Sequence, residues 1–305
     1  LFSVVLTALT VILCRDVLVW MRTPEDIIDG AYDYLIIIFW GIPTVFLYNM
    51  VAGIIRSLGD SKTPVFFLIL SSIINVVLDL FFILNLNMGV AGAAWATVIA
   101  QGVSGVACLF YMIKKFDILH IQKGEWKADS HMMGVLCGMG IPMGLQYSIT
   151  AIGSVILQGA TNTLGSLAVA SITAGSRIAN ILGCPFDAMG TTMATYGGQN
   201  IGAKKLERIG TGLKECIKLG IGYSVIALGI TLLFGKYLAL LFVDSSEIEI
   251  IANVQTFLIF NTAAYSLLAL VNIIRFLIQG MGFSKFAILA GVLEMIASSS
   301  PLSRA

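Results

Sequence analysis

The chain has 305 residues, 58% of them hydrophobic and 11% charged, with a mean hydropathy of +0.94 and a formal net charge of +1. A soluble domain carries roughly 25% charged residues, so this composition excludes an ordinary soluble protein and predicts an all-α integral membrane protein. Total charge is uninformative about partners; the lipid bilayer is the expected environment, and no nucleic-acid partner is expected.

In chain order, nine apolar stretches read as transmembrane helices, at approximately 1–21, 31–58, 64–84, 88–113, 131–162, 167–198, 206–242, 247–281 and 284–298. A bilayer core of about 30 Å needs about 20 apolar residues per helix, each closing its own backbone hydrogen bonds. The first stretch starts with neither Met nor a basic leader and does not read as a cleaved signal peptide. The last is short and dissolves into a polar tail, so the chain is expected to be cut at both ends.

The second stretch contains Gly41-Ile42-Pro43, a bend signal that recurs as Gly140-Ile141-Pro142 in the fifth, with Pro185 inside the sixth. Proline removes one backbone hydrogen bond, which makes Pro43, Pro142 and Pro185 candidate hinges. In the third stretch Asp79 is the only charge within 63–84, and Asn75 sits one helical turn before it. A carboxylate in an apolar span is costly to keep and marks a functional-site candidate. The third and fourth stretches form a hairpin around Asn85-Leu86-Asn87. Asn75 lies eleven residues before Leu86 and Thr97 eleven after it, which places both about 15 Å in. One carboxylate, one amide and one hydroxyl then converge. Such oxygen donors suit a hard cation such as Na⁺, and a desolvated Asp could take a proton instead. A scaffold role, with Asp79 hydrogen-bonded only to hold helices together, is the competing reading, although such bonds average only about 0.6 kcal/mol.

The polar interruption at 114–130 (KKFDILHIQKGEWKADS) divides the chain into an N-lobe at 1–113 and a C-lobe at 131–305. Landmarks repeat between them. An acidic turn at 23–26, a long helix containing Asn49 and then Gly59-Asp60-Ser61-Lys62 are matched by residues 244–247, Asn272 and Gly282-Phe283-Ser284-Lys285. The second landmark recurs after 223 residues in the same orientation, the pattern of a parallel repeat. Alternate loops separate a basic side, which includes Arg56, Lys62, Lys114, Lys115, Lys204 and Lys205, from an acidic one; the positive-inside rule makes the basic side and the 114–130 linker cytoplasmic.

Other charges within the apolar stretches are Arg177, Asp187, Arg275 and Glu294. Arg177, Asp187 and Arg275 are candidates for a substrate cleft or for pairing between helices. Arg177 and Asp187 lie ten residues apart on one helix, on roughly the same face but too far apart to pair directly. The five scattered cysteines read as buried free thiols. No Cys/His metal site, P-loop, HExxH or G-x-S-x-G signature is present, so no enzyme activity and no cofactor beyond a coupling ion are expected.

The run over 34–112, with GIPTVFLYNMVAGIIRSLGDSKTP, NVVLDLFF and MGVAGAAWATVIAQ, resembles the N-lobe of a multidrug and toxic compound extrusion (MATE) transporter of the DinF-like branch. GIPMGLQ at 140–146, LAVASITAGSRI at 167–178 and YGGQNIGAKK at 196–205 are similar to that family's seventh and eighth helices. The resemblance implies a truncated form of a twelve-helix fold, lacking the first two helices and the last, with two bundles facing a central cleft. It also implies a monomer in the plasma membrane that exports amphipathic or cationic compounds in exchange for Na⁺ or H⁺. In members with an N-lobe cation site, an Asn and an Asp four apart and a Thr on the next helix are ligands; these fall on Asn75, Asp79 and Thr97. The same site uses an Asp on the family's first helix, which this sequence does not include. The Glu and Asp of a C-lobe cation site have no counterpart within 141–164 or 256–280. A lipid-linked oligosaccharide flippase of the same superfamily, or a nonfunctional transporter fragment, is the alternative reading.

Overall fold

The computed structural model describes residues 2–20, 27–119 and 129–283, together with the isolated positions 286, 289, 292 and 293. The described residues are all helical apart from turns, and they divide into two compact units, 1–127 and 128–305. Unit 1 contains α1 (Phe2–Trp20), α2 (Ile28–Trp40), α3 (Ile42–Ser57), α4 (Lys62–Leu80) and α5 (Gly89–Lys115). Unit 2 contains α6 (Ser130–Asn162), α7 (Ser166–Gly202), α8 (Leu206–Ala239), α9 (Ile248–Ala263) and α10 (Tyr265–Gly280).

Six of these elements are long and apolar enough to cross a membrane unaided, and the pairs α2+α3 and α9+α10 reach the same length and apolarity only when each bent pair is taken together. These correspond to the first eight predicted stretches. The ninth, at 284–298, with Lys285 and Glu294, lies outside the described residues except at four positions, and the acidic turn 23–26 and residues 120–128 of the linker lie outside them entirely.

The α2+α3 bend is 43° and falls at Gly41, with Pro43 in the first turn of α3. Proline has no N–H to return to the preceding turn; the Thr44 hydroxyl donates to the Gly41 carbonyl across the break at 2.7 Å. The α9+α10 bend is 48° and has no proline. There the chain tightens through an Ala264 N–H donating to the Asn261 carbonyl. Pro142 and Pro185 lie inside the continuous helices α6 and α7.

In unit 1, α5 packs against α2, α3 and α4. Its buried positions include Gly92, Ala94, Ala96, Ala100, Ser104 and Gly105, a face of small side chains. In a bilayer no hydrophobic force drives helices together, so close backbone approach over small residues takes its place. In unit 2, α7 has the same role against α8, α9 and α10. Phe186 of α7 is fully buried, with its ring edge-on to Tyr223 and Tyr265 at 5.3 and 5.1 Å between centroids. The closest approach is at Gly280, where an added Cβ would stand 2.2 Å from the Ala194 carbonyl oxygen.

The cysteines are all free, but only Cys14 and Cys108 are buried. Cys137 and Cys184 are exposed and Cys216 is intermediate, which corrects the expectation of five buried thiols. A thiol is apolar enough for the lipid-facing side of a spanning helix, so an apolar sequence context does not distinguish protein core from bilayer.

Candidate functional site

The α4–α5 hairpin is closed by a wide turn. After Leu80 the helix loosens into a π-helical turn, Phe81–Asn85, in which Leu86 N–H donates to the Phe81 carbonyl. Asn87 then takes a left-handed conformation at φ 51° before α5 begins. Such π turns recur near functional positions because they redirect the end of a helix.

Within this hairpin Asn75 Nδ2 donates to Thr97 Oγ1 at 3.3 Å, so the equal-depth arithmetic from the sequence gives a direct contact. The Thr97 hydroxyl spends its own hydrogen on the Ala93 carbonyl at 3.0 Å. That orientation obliges its oxygen to accept, and turns the Asn75 amide nitrogen toward it. Asp79, one turn further along the same face of α4, is half-buried. Its Oδ1 is shut off from solvent and accepts no hydrogen bond among the described residues. Among the described residues this oxygen ties α4 to no neighbouring helix. The hairpin therefore carries an amide and a carboxylate one turn apart on α4 and a hydroxyl on α5 in contact with the amide, oxygen-bearing groups of the kind that suit a hard cation.

The second group of candidates separates. Asn272 Nδ2 donates to Asp187 Oδ1 at 3.0 Å, and Arg275 donates from a terminal guanidinium nitrogen to Asn272 Oδ1 at 2.9 Å. Asp187 and Arg275 are thus joined through one amide inside unit 2. Arg177 is not part of that relay; it lines a separate groove of about 430 Å³ with Phe242, Val243 and Ile250.

Sequence reasoning gave no site role to Gln146, Asn272 or Gln279. Gln279 Nε2 donates to Gln146 Oε1 at 2.9 Å in a fully buried bond between α10 and α6. The missed signal was periodic: Asn272, Arg275 and Gln279 stand at i, i+3 and i+7, one polar stripe on an otherwise apolar α10.

A family model described as MatE matches residues 1–81 and 142–301. The chain belongs to the MatE family. Among relatives of this MatE chain, the probable multidrug resistance protein YpnP of Bacillus subtilis is 33% identical over 231 residues, covering 74% of this chain and 51% of that protein. The probable multidrug resistance protein YoeA of the same bacterium is 29% identical over 264 residues, covering 83% of this chain and 56% of that protein. The chain spans about half the length of these curated relatives. A solved outward-facing multidrug resistance MATE family transporter of the MOP superfamily aligns with a TM-score of 0.89 over 97% of this chain and 66% of that one, at 22% identity, a likeness of fold. With six to eight candidate spans among the described residues, the MatE chain is a multi-pass membrane protein.

Proposed function

We propose that the protein is a secondary multidrug efflux antiporter of the plasma membrane. It exports amphipathic or cationic small molecules in exchange for Na⁺ or H⁺, with Asn75, Asp79 and Thr97 taking the coupling ion. The observation that carries this reading is the buried, unpartnered Oδ1 of Asp79 beside the Asn75–Thr97 contact. A buried acceptor left without a donor costs about 1–3 kcal/mol, more when charged, and a cation or a proton relieves that cost. Multidrug resistance is what the relatives YpnP and YoeA are named for.

Coupling then follows from linkage. Ion and drug bind opposite states of the carrier preferentially, so each ion taken up shifts the population toward release of the drug. The bend at Gly41 and Pro43 gives unit 1 a place to flex, and the basic 114–130 linker faces the cytoplasm. The test is efflux of a fluorescent cation from vesicles carrying the full-length protein, under separate Na⁺ and H⁺ gradients. Asp79→Asn should abolish gradient-driven efflux while the protein still reaches the membrane; efflux equal to wild type in that variant removes the assignment.

A further inference from the structure

At 37 residues, α7 is about 55 Å long and overshoots a bilayer core of about 30 Å. Arg177 stands about 16 Å in from its first residue, one turn beyond Thr173 on the same face. Both line the groove of about 430 Å³ whose other walls include Ala170, Phe242, Val243 and Ile250. Phe242 and Val243 belong to the α8–α9 turn and Ile250 to the first turn of α9, so Arg177 is level with that turn rather than with the middle of the spans. Its side chain and that of Thr173 are exposed to the groove, and neither has a hydrogen-bond or ion-pair partner among the described residues.

We propose that this groove holds the headgroup of a zwitterionic aminophospholipid, of the phosphatidylethanolamine kind, from the outer leaflet. The order of charges carries the inference. An arginine against apolar walls at membrane depth is costly without an anion, and a phosphate takes the guanidinium fork through two parallel hydrogen bonds. The Thr173 hydroxyl is free to donate to a further phosphate oxygen. The α8–α9 turn lies on the acidic side of the chain, which the positive-inside rule places outside. Val243 runs directly into Asp244, and Ile250 follows Glu249, so two walls of the groove continue into carboxylates, with Glu247 between them. Asp244 accepts from the Ser246 N–H and hydroxyl at 2.9 Å, which fixes its charge at the turn. Against these three exposed carboxylates the outer end of α8 carries one lysine, Lys236. A lipid with net negative charge is therefore repelled at the rim, whereas a primary ammonium next to the phosphate is attracted and has N–H groups to donate. Phe242, Val243 and Ile250 accept the glycerol and the first methylenes, for which a free phosphate has no counterpart. The groove lies wholly in unit 2 and does not depend on the assignment of the coupling ion to Asp79.

The test is native mass spectrometry of the full-length protein released from nanodiscs of equal parts phosphatidylethanolamine, phosphatidylglycerol and phosphatidylcholine with identical acyl chains, counting retained lipid by class. Phosphatidylethanolamine should be retained roughly ten-fold over either other class, the effect of one hydrogen bond to a charged group. Arg177→Gln should bring it down to their level. Replacing Asp244 with Asn and both Glu247 and Glu249 with Gln should instead raise phosphatidylglycerol to the level of phosphatidylethanolamine. Ala170 is exposed and lines the groove, so Ala170→Phe fills it without altering a charge and should lose the retention as Arg177→Gln does; it decides the matter if Arg177→Gln does not fold. Inorganic phosphate added in excess should displace nothing. No ion gradient enters the measurement, so failure of the coupling assignment and failure of this site are seen separately. Equal retention of the three lipids, preference for either other class, retention that survives Arg177→Gln or Ala170→Phe, a triple variant that still excludes phosphatidylglycerol, or loss of lipid to inorganic phosphate overturns the proposal.

Discussion

Replacing Asp79 with Leu should make the protein more stable in the absence of the coupling ion and insensitive to it. The carboxylate has a buried oxygen with no donor, and the residues flanking it on α4, Val76, Val77 and Leu80, are exposed apolar side chains of a lipid-facing helix. Leu suits those surroundings and removes an unmade hydrogen bond worth about 1–3 kcal/mol, so Asp79→Leu should gain roughly that amount in cation-free buffer. Wild type should recover as ion is added, because a ligand bound only by the folded state stabilises it by about 2.7 kcal/mol at a concentration one hundred times its dissociation constant. Thermal unfolding of the purified full-length protein reads both effects, with NaCl exchanged for choline chloride at pH 8 and with acidification to pH 5.5 as the proton arm. A scaffold role gives the opposite pattern. If Asp79→Leu is less stable than wild type without cation, and wild type responds to neither Na⁺ nor acid, Asp79 holds helices together and the coupling assignment fails.

Two further outcomes test the packing. Gly280→Ala would put a Cβ 2.2 Å from the Ala194 carbonyl oxygen and 2.5 Å from its Cα. Backbone atoms cannot rotate away, so the helices must part and stability should fall by about 1–3 kcal/mol. Gly183→Ala, with open space around its Cβ, should instead gain about 0.5–1 kcal/mol; melting temperatures in the reverse order would contradict the α7–α10 contact. At the turn before α4, Asp60 accepts from the Thr63 N–H and hydroxyl and pairs with Lys115 at 3.1 Å. The Thr63 bonds, aided by Lys115, hold its carboxyl below its ordinary 3.8, at about 2. A depressed folded pKa stabilises fully above the unfolded value and is lost as pH falls through the folded one. The stability difference between wild type and Asp60→Asn should therefore be constant above about pH 4 and shrink toward pH 2; a difference unchanged over that range would show that the carboxylate's charge is not what matters.

The spans were legible because apolar length is a one-dimensional property, and so was the Asn75–Thr97 contact, since a short hairpin fixes depth by counting from Leu86. The α2+α3 bend could be read from Pro43. The α9+α10 bend could not, because Ala263, Ala264 and Tyr265 contain no residue that forbids a helix. Its cause is tertiary: Tyr265 is buried against Phe186 and its hydroxyl reaches the Ala179 carbonyl, contacts that exist only once α7 is in place. The pairing of Asp187 with Arg275 was hidden for the same reason. Their separation of 88 positions carries no register, and the residue that joins them, Asn272, had registered only as a repeat landmark.

That landmark also shows how two similarly bent helix pairs carry different chemistry. The two bent pairs share their architecture: α3 begins at Ile42 and α10 at Tyr265, and the following turns place Gly59 at φ 93° and Gly282 at φ 97°. Shifting by the same 223 residues sets Asn272 against Asn49, Arg275 against Ala52 and Phe283 against Asp60. In unit 1, Asn49 is exposed and donates to the Val45 carbonyl of its own helix, while Ala52 is fully buried. An arginine cannot replace that alanine without driving α3 from its neighbours, so the polar stripe carried by α10 in unit 2 has no room in unit 1. Unit 1 instead carries a charge, Asp79, within α4, and secures the turn after α3 with Asp60 and Lys115 where unit 2 has Phe283. The fold constrains the bends and the glycine turns; which helix carries the polar face is set by where small residues leave space.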